Sequence, residues 1–321
     1  MVRRRALIIA LAIAPCAAGR AADVGRDFGE SLGVLSSARQ VGTGGVALED
    51  PWRQGSLVEA TTIVLTSGMQ WVGFGTQGGA GPSLRLAFDG FSFTPSSFTR
   101  TLQSPDGGYG GEGGSVGASE WGARITALYT LLDGPPLKVA AIGRTFGIVQ
   151  RLPDFSHVGI AAEAGAQARW AVGVDRALTG WILGGPLGEG AGRQFASQAT
   201  FGAGYLAQVD HGLVGGPGGY GTGVEGQYLS SGLPQAGLGF LTWVGRPGTT
   251  DLTFSLRLGL RYAAGSAAEI QPRAGLGVLW RLPTGLALQF DYAVVPIGEL
   301  GWYHYVTLGV RLPQTASAGH G

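Results

Sequence analysis

The stretch Leu252-Thr253-Phe254-Ser255-Leu256-Arg257-Leu258-Gly259-Leu260-Arg261-Tyr262 decides how the chain is read. In an extended strand successive side chains point to opposite sides. Leu252, Phe254, Leu256, Leu258, Leu260 and Tyr262 then share one face, and Thr253, Ser255, Arg257, Gly259 and Arg261 share the other. A helix would scatter both sets around its circumference. The alternation lasts about as long as a tilted strand needs to cross a bilayer.

The same pattern recurs outward from this stretch. Ile270, Pro272, Ala274, Leu276, Val278, Trp280 and Leu282 oppose Gln271, Arg273 and Arg281. Trp121, Ala123, Ile125, Ala127, Tyr129 and Leu131 oppose Arg124. Val158, Ile160, Ala162, Ala164, Ala166, Ala168 and Trp170 oppose Glu163 and Arg169, and Leu288, Phe290, Tyr292 and Val294 oppose Asp291. Turn signals between such stretches predict about fourteen strands, starting near Ala60, Met69, Ser83, Glu120, Leu137, His157, Asp175, Ala196, Thr222, Ala236, Thr250, Ile270, Gly285 and Trp302.

The fold class expected is all-β: a transmembrane antiparallel barrel with an N-terminal lumen plug. Tight turns at Asp133 to Pro136, Gly173-Val174, Arg246 to Gly248 and Pro283-Thr284 fall on one side. Longer connections at Thr94 to Ser119, Gly185 to Gln194 and Ala264 to Glu269 fall on the other, as outer-membrane barrels require. The segment Asp210 to Gly221 is long on the short side and leaves the strand count there open. Trp121, Trp170, Trp243, Trp280 and Trp302 near strand ends read as an interfacial belt. A soluble β-protein would instead centre its Trp residues in strands and carry Lys on its outer faces, whereas Lys138 is the only Lys.

Composition narrows the function classes. Among 321 residues, charged ones are 13%, half the share of an ordinary soluble domain. The formal net charge is +1, and Arg3, Arg4, Arg5 and Arg20 lie in a leader, so no basic stripe remains for nucleic acid. Residues 1–22 have signal-peptide order: arginines, an apolar run from Ala6 to Ala14, then Pro15 and small residues. A lipoprotein signal acylated at Cys16 would place a small residue where Pro15 stands. Cys16 is the only Cys, so the mature chain is expected to lack disulfides and thiolate metal sites. Residues 23–57 are expected to hold the plug, 58–312 the barrel and 313–321 a tail, in an exported protein of a bacterial outer membrane.

Motifs that suggest catalysis lack the context they need. Gly29-Glu30-Ser31-Leu32-Gly33 and Gly113-Gly114-Ser115-Val116-Gly117 match a serine-nucleophile pattern without the strand-to-helix turn that presents the hydroxyl. Gly73 to Gly78 matches a dinucleotide fingerprint, but Gly79-Ala80-Gly81-Pro82 replaces the phosphate-binding helix. His157, His211, His304 and His320 show no helical metal spacing. Neither a catalytic residue nor a cofactor or metal is expected. Arg124, Glu163, Arg169, Arg257, Arg261, Arg273, Arg281 and Asp291 are expected to project into the lumen, as a salt-bridged interior or as a lining that selects a solute.

Phe290-Asp291-Tyr292-Ala293-Val294-Val295-Pro296-Ile297-Gly298-Glu299-Leu300-Gly301, with His304 and the closing Leu308-Gly309-Val310-Arg311-Leu312, resembles the C-terminal signature of the PorV/PorQ family. Ser37-Ala38-Arg39-Gln40-Val41-Gly42-Thr43-Gly44-Gly45-Val46 resembles that family's Gly-rich N-terminal motif, with Asp50 in the acidic turn after it. The family's Trp-Asn-Pro-Ala-Gly stretch is replaced here by Trp52-Arg53-Gln54-Gly55. The resemblance implies a FadL-like barrel of fourteen strands with its N-terminal segment in the lumen. Two roles follow from it: passage of hydrophobic small molecules across the outer membrane, or, as the alternative, carriage of exported protein cargo in type IX secretion. Its partners would be membrane lipid and either that solute or that cargo. An outer-membrane hydrolase using His304 ranks last.

Overall fold

The computed structural model describes residues 38–43, 46, 48, 56–65, 70–79, 83–94, 98–103, 109–116, 119–152, 155–190, 193–194, 198–210, 216–229, 234–245, 251–263, 269–296 and 302–312. The leader, the tail, Gly44, Gly45, Asp50 and the motif residues Gly298, Glu299, Leu300 and Gly301 lie outside them. A short helix α1 (Ala38–Gly42) precedes β1 (Leu57–Leu65), β2 (Gln70–Gly79), β3 (Leu84–Thr94), β4 (Phe98–Gln103), β5 (Tyr109–Val116) and β6 (Ser119–Asp133). Then come β7 (Leu137–Leu152), β8 (Phe155–Ala171), β9 (Arg176–Gly190), β10 (Arg193–Gln194), β11 (Gln198–Val209) and β12 (Gly218–Leu229). The last five are β13 (Gln235–Val244), β14 (Leu252–Ala263), β15 (Glu269–Arg281), β16 (Ala287–Pro296) and β17 (Trp302–Arg311).

All pairings are antiparallel, β17 pairs with β1, and β8 pairs with β9, so β1 to β3, β6 to β9 and β11 to β17 close a barrel of 14 strands. Closure gives every barrel strand a hydrogen-bonded neighbour on each side, which is how a sheet satisfies its backbone groups in lipid. β4 and β5 form a separate hairpin in the connection between β3 and β6. Each barrel strand begins within a few residues of its expected start. The largest offset is at β12, which begins at Gly218 rather than Thr222. The doubtful connection is thereby reduced to 210–217, and the strand count stands.

Two expected outer connections are partly strand. β4 and β5 occupy most of the segment from Thr94 to Ser119, and β9 runs through Gly190 to pair with β10. The tight turn between β15 and β16 works because Gly285 adopts φ +82°, a left-handed conformation that costs glycine nothing. There the Leu282 N–H bonds Leu286 O at 2.7 Å and the Gly285 N–H bonds Leu282 O at 3.0 Å.

The outer surface is the apolar face read from the sequence. Leu252, Phe254, Leu256, Leu258, Leu260 and Tyr262 are all exposed, and Ile160 and Ile270 reach 64% and 67%. In water such a continuous patch would drive association. Around a closed barrel it is the surface that meets hydrocarbon. Trp121, Trp170, Trp280 and Trp302 are exposed on this face near strand ends. Trp243 is a correction: it packs inside the lumen with Trp181 against Val46, Leu48 and Leu241. β13 carries apolar residues in both phases near its end, with Leu238 outside and Leu241 inside, so alternation alone could not place Trp243.

Candidate functional site

The described N-terminal residues follow the inside of the wall. Ala38 and Val41 of α1 are fully buried with Ile63, Ala293, Val295 and Tyr305, and Phe91, Phe93 and Tyr303 pack against this cluster. Further round the wall, Val46 and Leu48 pack with Leu241, Trp181 and Trp243. Two glycines in the wall make room. A Cβ on Gly275 would lie 3.2 Å from the Gly42 Cα, and one on Gly239 would lie 2.5 Å from the Thr43 carbonyl oxygen. Gly275→Val is therefore expected to push α1 off the wall and raise the conductance of the reconstituted barrel. Unchanged conductance in a correctly folded variant would show that α1 does not limit flow.

Ionic contacts hold α1 where it sits. Asp291, 1% exposed, accepts a hydrogen bond from Arg257 Nη1 at 2.8 Å and lies 3.7 Å from Arg39 Nε. Arg39 also pairs with Glu59 and donates from Nη1 to Gln289 Oε1 at 3.3 Å. The Gln289 amide donates to Asp291 and its Oε1 accepts from Arg311 Nε at 2.8 Å. The Ala38 N–H donates to Thr307 Oγ1 at 3.0 Å, and Thr307 is bonded to Thr61 at 2.8 Å. These groups come from α1, β1, β14, β16 and β17, so the latch exists only when the barrel is closed around the plug.

The remaining sequence-selected residues divide by position. Arg124 pairs with Asp89 at 3.0 Å, and Glu163 pairs with Arg144 at 3.4 Å. Arg261 donates to Gln235 Oε1 at 2.9 and 2.6 Å and to Gln227 Oε1 at 2.5 Å, while Arg273 Nη2 donates to Gln271 Oε1 at 3.2 Å. Arg169 and Arg281 lie near the barrel end where β1 begins and β17 finishes, half-buried. Tyr292 and His304 take no part in the lumen. They stand on the outer face, the Tyr292 hydroxyl 2.7 Å from His304 Nδ1 with the rings stacked at 6.0 Å. The dinucleotide-like Gly73 to Gly78 is the middle of β2, and Gly113 to Val116 lies in β5.

Sequence reasoning missed Glu59, Asp89, Arg144 and Thr307, and it set Gln289 on the same face as Asp291 without selecting it. Each sits in the lumen phase of its strand, so alternation offered them as candidates. Their importance comes from partners on strands far away in sequence.

Among the described residues, the wall has one seam where a ladder stops short. β15 pairs with β14 along its whole length, from Trp280 opposite Leu252 to Glu269 opposite Ala263. Its ladder to β16 starts at Arg281 opposite Ala287 and stops at Ala274 opposite Val294. Beyond that point β15 continues through Arg273 to Glu269 without β16, and β16 continues through Val295 and Pro296 bonded only to β17. An unbroken register would set Pro272 opposite Pro296. Neither has an N–H to donate, so the ladder cannot close there. Unpaired backbone in hydrocarbon costs several kcal/mol per group, roughly, which a purely structural wall avoids. Val295, Tyr303 and Tyr305 carry the apolar cluster above α1 up to this seam.

A closed barrel with an apolar outer band, a polar latched lumen and a plug defines the class: a transmembrane β-barrel of the outer-membrane type. No protein-family model matches the chain, and no curated protein matches it. Among solved structures, the barrel is similar to the toluene transporter TodX of Pseudomonas putida, with TM-score 0.53 and 7% identity over 85% of this chain and 96% of that one. It is also similar to CdiB from Acinetobacter baumannii, with TM-score 0.50 and 12% identity over 80% of this chain. The chain spans 60% of the CdiB chain. Identities this low show a shared fold.

Proposed function

We propose that the chain is a non-enzymatic outer-membrane barrel of FadL-like, PorV/PorQ type that passes hydrophobic small molecules, exported to its membrane by the leader in residues 1–22. The observation that carries this reading is the open seam between β15 and β16, reached from the lumen along an apolar strip. A hydrophobic solute entering above α1 meets Phe91, Phe93, Tyr303 and Tyr305 and leaves sideways past Val295 into the bilayer, without crossing the charged latch below. A solute of this kind gains free energy at each step because it never has to return to water. The shared fold with a protein described as a toluene transporter supports the same solute class.

The cargo-carrier alternative makes no use of the seam. Cells lacking the protein should take up a monoaromatic hydrocarbon such as toluene more slowly, and the cloned gene should restore the rate. Normal hydrocarbon uptake together with unprocessed exported proteins in the periplasm would replace this reading with the carrier.

A further inference from the structure

We propose that the lumen beside the seam contains a binding site for one organic anion with an aromatic body, its carboxylate held between Arg261 and Arg273. The proposal rests on the passage reading and names the solute more closely.

Arg39, Arg124, Arg144 and Arg257 each have a carboxylate oxygen within 4.0 Å, from Glu59, Asp89, Glu163 and Asp291 respectively. Arg261 and Arg273 differ. Their hydrogen bonds go to glutamine amides, which orient a guanidinium without neutralising it. The two are diagonal neighbours, since Gly259 stands opposite Arg273 and Arg261 opposite Gln271. Two like charges placed side by side in a low-dielectric wall are costly unless an anion lies between them. Arg273 Nε is buried and has no partner among the described residues.

Among the described side chains one further carboxylate acts on both arginines: Glu225 of β12, which forms no direct ion pair with either. Even with Glu225 ionised the two guanidiniums keep a net positive charge, which a carboxylate ligand would balance. The guanidinium fork matches a carboxylate in two parallel hydrogen bonds.

The body of the ligand is set by the wall next to this pair. Tyr305 stands opposite Ala293, which stands opposite Gly275, two residues along β15 from Arg273. It meets Tyr303 edge-on, with ring centroids 6.5 Å apart at 89°, and Phe91 and Phe93 complete the same cluster. Aromatic edges and faces of this kind favour a flat ring over a flexible alkyl chain.

The test uses the whole barrel in detergent and in vesicles, with 4-tert-butylbenzoate, its uncharged counterpart tert-butylbenzene, and octanoate as probes. The aromatic acid should bind saturably and more tightly than octanoate. Arg261→Gln with Arg273→Gln should weaken its binding by about tenfold or more. The double lysine variant, which keeps the charge but loses the fork, should recover part of the affinity. Equal binding of the acid by the wild type and the double glutamine variant would overturn the site, and octanoate binding as tightly as the aromatic acid would overturn the aromatic body. If the wild type binds the acid but passes neither acid nor hydrocarbon, the site stands and the passage reading falls. Faster gel mobility before boiling than after it verifies that each variant is a closed barrel.

Discussion

Asp291→Ala is expected to unlatch the plug and produce the largest rise in conductance of any single substitution. The carboxylate is buried, and two guanidiniums converge on it, Arg257 at 2.8 Å and Arg39 at 3.7 Å. Both are themselves buried. Removing one partner of a buried ion pair costs about 3–5 kcal/mol, because the charge left behind has neither water nor a counter-ion. The barrel wall cannot shed Arg257 without breaking the β14 ladders. It can shed Arg39, which belongs to a five-residue helix held otherwise by Ala38, Val41, the Arg39 contacts to Glu59 and Gln289, and one backbone hydrogen bond to the Thr307 side chain. The strain is therefore relieved by α1 leaving the wall. Single-channel recording should show a higher conductance, and a cysteine placed at Val41 should become reactive to a water-soluble maleimide. Asp291→Asn, which keeps the shape and one acceptor, should fall between wild type and Ala. A variant that runs as a folded barrel yet shows wild-type conductance and a protected Val41 position would remove the latch from the account.

Closing the seam is expected to stop passage altogether. Pro272→Cys with Pro296→Cys places two thiols opposite each other where the β15–β16 ladder lapses, in a chain whose only natural Cys is Cys16. A disulfide brings the two Cβ atoms to about 3.5–4.5 Å, which forces the strands into pairing distance. The substitutions also restore the two N–H donors that proline withholds. The oxidised barrel should pass no hydrocarbon, and a reductant should restore passage in the same vesicles. Passage that continues at the same rate in a fully oxidised sample would show that solute takes another route.

Much of this architecture was legible before any coordinates. Period-two alternation at Leu252 to Tyr262 set the phase of β14, and once the phase is known every side chain of a strand is assigned to lipid or lumen. Arg257, Asp291, Arg124 and Glu163 were picked out for that reason alone. The Gly-rich segment before β1 marked where chain would have to fit against chain, and Gly42 touches Gly275 there. Trp243 was misplaced because its strand is apolar on both faces near its end, so the alternation that works for β14 carries no phase information at that point.

The sequence by itself determined a closed barrel of about fourteen strands, with the count left open at Asp210 to Gly221, and the oily outer band, since these follow from local alternation, strand length and the need to satisfy every backbone group in lipid. Only the tertiary structure decided which charges meet, that Arg39 reaches Glu59 and Asp291 while Arg261 and Arg273 are left with amides. It alone ended the β15–β16 ladder at Ala274 opposite Val294, short of the register that would set Pro272 against Pro296. Those outcomes depend on register between strands and on where the plug lies, and both are fixed by packing among residues far apart in the chain.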